Sequence, residues 1–175
     1  MPKFIDWVPT QPDCISPFFE LAPVSSSDVV YDLGSGDGRL LFAALEKGAG
    51  KCVGIDIDPA RVSEAREIAS SKGLDDRVTF IEADVIEYDL SAASVILCYL
   101  LTSAAAALRP KFENELKPGT RIVMESFPVP GWVPAKIKEA GGRTFYYYAM
   151  PPEIGADPEV SYRDSENFGV SLYGL

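Results

Sequence analysis

The sequence predicts an α/β fold, in which helices cover both faces of a doubly wound sheet of seven strands with one antiparallel strand. Three observations support this prediction. Short apolar runs rich in valine and isoleucine alternate with helical patterns along most of the chain. A glycine-rich turn joins the first of these runs to a helix. Two strand-like runs without a helix between them close the chain.

The turn after the first strand is the most informative stretch. The strand ends at Asp32, a helical pattern begins at Arg39, and three glycines lie between them at every second position: Gly34, Gly36 and Gly38. Glycine is needed there because the backbone must turn sharply. It is also needed because a Cβ atom would hold a ligand away from the positively polarised helix end. The turn therefore predicts a cradle for a nucleotide or a cofactor.

The spacing of the glycines indicates which ligand the cradle holds. A dinucleotide fingerprint, Gly-x-Gly-x-x-Gly, would need a glycine where the chain has Arg39. The phosphate loop of nucleoside triphosphatases is excluded because no Gly-Lys-Ser/Thr follows. The remaining pattern resembles the S-adenosylmethionine loop of class I methyltransferases. A purely structural glycine turn and a dinucleotide site stay open as alternatives.

Acids at the ends of the next two strands extend the predicted donor site. Asp56 ends the second strand, where a carboxylate can accept both ribose hydroxyls. Asp84 follows the third strand, Val78–Ile81. In class I enzymes an acid there accepts from the adenine amine, although Asp84 could also be a simple turn residue. The predicted donor-binding residues are Asp32, Gly34, Ser35, Gly36, Gly38, Asp56, Ile57, Asp84 and Val85.

Local patterns predict the other elements of the first half. Residues 1–27 form an N-terminal segment that either caps the sheet or closes over the cofactor as a lid, with a short helix at Ile15–Leu21. The helix after the glycine turn ends in a Gly-Ala-Gly turn. Asp58 and Pro59 are an N-cap acid and a first-turn proline, so they begin the next helix, which ends at Gly73.

The second half is predicted to contain more strands than helices. Its fourth strand is continuously apolar, as expected for a strand covered on both faces, and it delivers Tyr99 to the edge where such sheets bind ligands. The predicted order is strand Ser94–Cys98, a helix capped by Ser103 and interrupted at Pro110, strand Arg121–Glu125, helix Pro134–Ala140, strand Thr144–Tyr148, loop Met150–Asn167 and strand Val170–Tyr173.

Composition excludes several functions. With 175 residues, 47% of them apolar, the chain is predicted to form one domain over residues 1–175. A net charge of −10 repels a phosphate backbone, so nucleic acid is not expected as a partner and a cationic partner is favoured. Histidine is absent, which excludes an imidazole-based triad or zinc site, and no metal site is predicted.

The cysteines and the apolar runs bear on location. Cys14, Cys52 and Cys98 are far apart with no Cys-x-x-Cys, so reduced thiols and a cytoplasmic location are expected. The first residues lack the apolar core of a signal peptide. The apolar run 92–108 is shorter than the roughly 20 residues that span a bilayer, so no membrane span is predicted.

Four stretches together resemble a narrower family. They are Val8–Thr10, Asp32–Arg39, Gly54–Asp56 and Phe127–Trp132. From Val8 to about Trp132 the chain resembles the small protein-lysine methyltransferases, which include archaeal broad-specificity enzymes and the mitochondrial family that modifies the c-ring protein of ATP synthase. The chain departs from that family at Trp7, where tyrosine is usual. It also departs at Cys98–Leu101, which strictly matches neither the archaeal enzymes nor the mitochondrial family.

The resemblance implies a Rossmann-like class I methyltransferase fold, S-adenosyl-L-methionine as cofactor and a lysine-bearing protein as partner. It also implies that Thr10, Tyr99 and Trp7 shape the opening through which the lysine reaches the methyl group. Removing the proton from a lysine at pH 7 costs about 4 to 5 kcal/mol. A desolvated aromatic channel reduces that cost, so the hypothesis is that no dedicated base is required.

Other functions stay open. A small-molecule methyltransferase with the same donor site, a non-catalytic donor-binding module and a dinucleotide oxidoreductase would each fit part of the pattern. The amide- and adenine-directed methyltransferases are disfavoured, because they carry Asn/Asp-Pro-Pro-Tyr/Phe after the fourth strand and this chain has Cys98–Leu101 there.

Overall fold

The computed structural model describes residues 8–155. The helices in this range are Ile15–Leu21 (α1), Arg39–Glu46 (α2), Pro59–Ser71 (α3) and Thr102–Glu115 (α4), with a 3-10 turn at Pro12–Cys14. The strands are Val29–Leu33 (β1), Lys51–Asp56 (β2), Val78–Glu82 (β3), Val95–Cys98 (β4), Arg121–Glu125 (β5), Trp132–Val133 (β6), Lys136–Ala140 (β7), Arg143–Ala149 (β8) and Glu153–Ile154 (β9).

Seven of these strands form one sheet in the order β3-β2-β1-β4-β5-β8-β7. β1 pairs in parallel with β2 and β4, whereas β8 is antiparallel to both of its neighbours, β5 and β7. The predicted α/β class and the seven-stranded sheet with one antiparallel strand are therefore confirmed. The strand order reverses between β1 and β4, which is where open α/β sheets bind ligands at the carboxyl ends of their strands.

Helices cover both faces of the sheet and create two cores. On one face α1, α2 and α3 contribute Phe18, Leu41 and Val62. On the other face α4 contributes Leu108 and Phe112. All four residues of β4 are buried, as the continuous apolar run predicts for a strand between two cores.

The predicted N-terminal helix and the predicted start of α3 are confirmed. α1 packs on α2 and on the β7–β8 end of the sheet, with the Phe18 ring edge-on to Phe145 at 5.2 Å between centroids. The Asp58 side chain accepts a hydrogen bond from the Ala60 N–H at 2.9 Å, and Pro59 occupies the first turn of α3.

The predicted helix Pro134–Ala140 is wrong, because this stretch forms the edge strand β7. β7 and β8 are joined by Gly141 and Gly142, which have φ values of 58° and 71°. A two-residue hairpin turn of type I′ requires positive φ at both central positions, and the Gly-Gly pair supplies it. β7 is therefore the seventh strand, while the predicted strand Val170–Tyr173 lies outside the described residues.

Three smaller predictions in the second half are also wrong. α4 continues through Pro110, because Leu108 and Phe112 on either side of it are fully buried in the core. The N-cap of α4 is Leu101, without a side-chain cap, rather than Ser103. The expected loop after Met150 contains β9, which pairs with β6 in a second, two-stranded sheet.

Candidate active site

The glycine turn is fixed against the end of β2. Gly34, Gly36 and Gly38 have φ values of 83°, 52° and 82°, a region that favours glycine over every other residue. The N–H groups of Gly34 and Ser35 both donate to the Ile55 carbonyl, at 2.8 and 3.0 Å. The turn is therefore held in place by the backbone of the neighbouring strand.

Phe80 of β3 fills the space under the turn. A Cβ atom on Gly38 would lie 2.4 Å from the Phe80 ring, and one on Gly54 would lie 2.5 Å from it. A Cβ on Gly54 would also lie 2.7 Å from the Ser35 Oγ, which is buried and has no hydrogen-bond partner among the described residues. Close packing thus explains Gly54, a residue whose role sequence patterns do not indicate.

Asp56 lies beside the turn at the end of β2 and is 5% exposed. Its Oδ2 accepts from the Gly36 N–H at 2.8 Å, and its Oδ1 accepts from the Asp58 N–H at 2.9 Å. A carboxylate has about four acceptor positions, so both oxygens can still accept from a ligand. The geometry fits the predicted role of binding ribose hydroxyls.

The adenine end of the predicted site is more open. Asp84 is exposed at the end of β3, and its Oδ1 accepts from the Ile86 N–H at 2.8 Å, a contact typical of a turn residue. Val85 is half-buried. Ile57 and Ile86 are 56% and 40% exposed, so each leaves apolar surface next to one of the two acids. Such surface suits the flat, apolar face of an adenine ring.

Asp32 lies at the centre of a concentration of negative charge. It is 3% exposed at the end of β1. Burial, together with the carboxylates of Asp56, Asp37 and Glu125, raises the pKa of Asp32 to about 8. A cationic ligand would offset this repulsion. These acidic residues therefore fit a nucleoside whose tail carries positive charge.

Tyr99 is held by Arg143 from β8. The Arg143 Nη1 donates to the Tyr99 hydroxyl and, at 3.4 Å, to the Ser126 Oγ. The guanidinium carbon lies 5.1 Å from the centre of the Tyr99 ring, within cation–π distance. Tyr99 therefore has a fixed orientation at the carboxyl end of β4, as its place in the sequence predicts.

Thr10 lies close to the donor turn although it comes from the N-terminal segment. It is 7% exposed, and its carbonyl accepts from the Arg39 Nη1 at 3.0 Å. Arg39 in turn pairs with Asp37 inside the glycine turn, with 2.6 Å between Nη2 and Oδ2. Thr10 and the donor turn are therefore connected. Trp7, the third residue predicted to shape the opening, lies outside the described residues.

Glu125 is the site residue that sequence reasoning missed. It ends β5, is 1% exposed and has its Oε1 3.8 Å from the Arg143 Nη1. Burial raises its pKa to about 7, although Arg143 and a hydrogen bond with Thr10 lower it. The available signal was its position, because it ends an apolar central strand just as Asp32 does.

Comparisons with known proteins show the family to which the chain belongs. The ANTKMT methyltransferase domain family matches residues 32–136. A protein-lysine N-methyltransferase of Saccharolobus islandicus is 39% identical over 151 residues, which cover 83% of this chain and 94% of the relative. An adenine nucleotide translocase lysine N-methyltransferase of Mus musculus is 32% identical over 130 residues, 74% of this chain and 56% of that protein. The chain thus spans just over half of the mouse relative.

A solved structure gives the same fold. The crystal structure of an RNA methyltransferase from Salinibacter ruber, in complex with S-adenosyl-L-homocysteine, aligns with a TM-score of 0.81 at 41% identity. The alignment covers 86% of this chain and 98% of that chain.

A Rossmann-like sheet with a glycine turn and acids at its reversal point is typical of the class I S-adenosylmethionine-dependent methyltransferases. The family match and the solved relative show that this chain is such an enzyme, with S-adenosyl-L-methionine as methyl donor. More narrowly, it belongs to the ANTKMT methyltransferase domain family. The predicted fold, enzyme class, cofactor and family resemblance are confirmed. Within residues 8–155, every helix is too short or too polar to cross a membrane.

Proposed function

We propose that this enzyme methylates the ε-amine of lysine side chains in a protein substrate. The observation that carries the proposal is the arrangement at the ends of β4 and β5. The Tyr99 ring and the buried carboxylate of Glu125 are connected through Arg143, and Thr10 lies against Glu125. Aromatic rings and carboxylates are the groups that bind alkylammonium ions. The 39% identity to a protein-lysine N-methyltransferase supports the same conclusion.

In this proposal the predicted donor residues divide the binding of the cofactor. Asp56 accepts the ribose hydroxyls, the cationic tail lies towards Asp32 and favours its ionised form, and Asp84 binds at the adenine end with Ile57 and Val85 around the ring. Gly34, Ser35, Gly36 and Gly38 allow the donor to lie against the backbone. Bound S-adenosylmethionine supplies a methyl group already activated by its sulfonium.

The chain's own residues then prepare the acceptor. Thr10 and Tyr99 hold the lysine nitrogen in line with the methyl group, which converts a bimolecular reaction into an oriented one. Both residues also exclude water from the reacting atoms. Trp7 completes this opening in the proposal, as the third member of the predicted acceptor site.

RNA is the second candidate acceptor, because the related Salinibacter structure is described as an RNA methyltransferase. The charges of this chain favour protein. Its net charge is −10, and the carboxylates of Asp37, Asp56 and Glu125 all act on Asp32 at the site. Such a field repels phosphates and attracts ammonium groups.

The test uses tritiated S-adenosylmethionine with a lysate separated into protein, RNA and small-molecule fractions. Label in protein that survives ribonuclease and is lost on protease digestion supports the proposal. Label in RNA or in the small-molecule fraction contradicts it. Donor binding by calorimetry without any label would instead indicate a non-catalytic module.

We also propose a single domain over residues 1–175 and a cytoplasmic location. The first rests on the continuous sheet that runs through the described residues. The second rests on Cys14, Cys52 and Cys98, which are all buried and free. Fractionation of cells that express a tagged full-length chain tests the location.

A further inference from the structure

Glu125 has a carboxylate oxygen that the described residues leave without a hydrogen bond. This Oε2 atom is fully buried, and the residue as a whole is 1% exposed. An unsatisfied buried acceptor destabilises the fold, so such an oxygen in a folded protein calls for an explanation, and a catalytic role is one such explanation. This oxygen belongs to the last residue of β5, an inner strand, and so lies at the carboxyl edge where such sheets bind ligands.

Arg143 does not neutralise Glu125 as a hydrogen-bonded partner. Its Nη1 donates to the Tyr99 hydroxyl and to Ser126. The Nη1 lies 3.8 Å from the Glu125 Oε1, beyond hydrogen-bond distance. Within the described part of the chain, Glu125 thus keeps an oxygen without a hydrogen bond next to a guanidinium whose Nη1 already donates to two other groups.

The backbone after Glu125 is strained in a way that fixes its direction. Ser126 has a φ of 67°, and the Phe127 N–H donates to the Glu125 carbonyl at 2.9 Å, which closes a three-residue γ-turn. This kind of turn is rare and costs energy in residues other than glycine. The Ser126 N–H also donates to the Thr144 carbonyl at 2.7 Å, so β8 holds the turn in place.

We propose that Glu125 is the general base of the reaction, and that its carboxylate accepts a proton from the acceptor's lysine ammonium before methyl transfer. This inference rests on the proposed function, and it replaces the hypothesis that no dedicated base is required. The proton moves from the lysine nitrogen to a Glu125 oxygen. The freed lone pair forms the nitrogen–carbon bond, and the carbon–sulfur bond breaks with its electron pair going to sulfur. The products are a methylated ammonium, S-adenosylhomocysteine and the proton, which Glu125 releases to water.

The charged groups around Glu125 come from several elements. Arg143 on β8 stabilises the ionised carboxylate, while Asp32 on β1 opposes it, and the Cys14 thiol lies within electrostatic range. Thr10 contributes a hydrogen bond to the ionised form. Burial is the largest effect and raises the pKa of Glu125 to about 7, which suits a base that works near neutral pH.

Glu125→Gln keeps the size of the side chain but removes the ability to accept a proton. We expect its single-turnover rate with lysate protein as acceptor to fall about 100-fold or more at pH 7, since general bases contribute about 10²- to 10⁴-fold. The deficit should narrow towards pH 10, where free lysine loses its own proton. Glu125→Asp retains a base, so it should keep the pH profile of the original chain at an intermediate rate. Glu64→Gln, an exposed change on α3, is the control and should match the original chain.

A second readout does not depend on activity. Carbon-13 NMR of the glutamate side-chain carboxyls should show one resonance that titrates near pH 7 and is absent from Glu125→Gln. Calorimetry with S-adenosylhomocysteine should give the same affinity for this variant within threefold, which shows that it is folded.

A Glu125→Gln rate within threefold of the original at pH 7 would overturn the inference, as would a Glu125 resonance that titrates near pH 4. If the original chain labels no lysine at any pH, the proposed function itself fails. The two failures are distinguishable. The general-base inference can fail only if the original chain methylates lysine, whereas the proposed function fails if it does not.

Discussion

The Arg39 guanidinium donates to the Thr10 carbonyl at 3.0 Å and also forms an ion pair with Asp37 in the glycine turn. One side chain thus joins the donor half of the site to the segment that is proposed to receive the acceptor. The two halves lie far apart in the sequence, and this contact fixes their relative position.

The first prediction concerns this contact. Arg39→Ala should lower methyl transfer about 10-fold, because a hydrogen bond to a charged group is worth about 1.5 to 3 kcal/mol and Thr10 would lose its anchor. S-adenosylhomocysteine affinity should change less than the rate does. Calorimetry and initial rates measure the two effects. Lys117→Ala removes an exposed cation after α4 and should change neither of them. Equal losses in rate and affinity would show that Arg39 serves only the donor turn.

The second prediction tests the ribose acid. Asp56→Ala removes a buried acceptor from the N–H groups of Gly36 and Asp58 and from the donor. S-adenosylhomocysteine binding should weaken about 10- to 100-fold, which corresponds to about 1.4 to 2.8 kcal/mol. Titration calorimetry gives the affinity. Glu82→Gln is the control, since Glu82 is the partner of Asp56 in β3 but is exposed. Unchanged binding by Asp56→Ala would exclude the assigned donor site.

The third prediction is a pH effect on stability. The folded protein raises the pKa of Asp32 to about 8, above the ordinary value of 3.8. The stability that this group contributes is therefore full below about pH 4 and is lost as the pH rises towards 8. The raised pKa of Glu125 changes stability with pH in the same direction as that of Asp32. The pKa values of Asp28 and Asp37 are lowered, so their contributions to stability change only in more acidic solution.

Urea unfolding at pH 5 and pH 8 measures this effect. The original chain should have a lower free energy of unfolding at pH 8 than at pH 5. In Asp32→Asn this decrease should be smaller by at least about 1.4 kcal/mol, the equivalent of one pKa unit. Asp76→Asn, at an exposed position, should follow the original chain. If Asp32→Asn loses as much stability between pH 5 and pH 8 as the original chain, Asp32 is ionised throughout this range.

The fourth prediction tests the packing under the glycine turn. Gly54→Ala places a Cβ atom 2.5 Å from the Phe80 ring, so it should destabilise the fold by about 1 to 3 kcal/mol, as overpacked cores do. Thermal unfolding measures the loss. Phe80→Leu makes room, so the double variant should be more stable than the sum of the two single effects predicts. Strict additivity would show that the ring is not what excludes a side chain at Gly54.

Local patterns were sufficient to predict most of the fold. β-branched runs marked β1 to β5, and the Asp58–Pro59 pair marked the start of α3, because these signals act over a few residues. Local propensity predicts a helix at Lys136–Ala140 because this stretch contains good helix formers, whereas the Gly141–Gly142 turn and the pairing with β8 make it a strand. α4 survives Pro110 through burial in the core, which a local rule about proline does not include.

The candidate site was predictable only where it follows a motif. The glycine turn and Asp56 belong to one continuous pattern, so their proximity could be expected. The role of Glu125 depends on Thr10 and Arg143, which reach it from the N-terminal segment and from β8. Only the folded chain brings these three residues together, so neither spacing nor composition could reveal the buried carboxylate.

The most direct test of the account is mass spectrometry of protein acceptors after incubation with S-adenosylmethionine that carries a deuterated methyl group. We predict the heavy methyl on lysine ε-nitrogens, with much less of it when Asp56→Ala replaces the original chain at a limiting donor concentration. Heavy methyl groups confined to other residue types, to RNA or to small molecules would contradict the account.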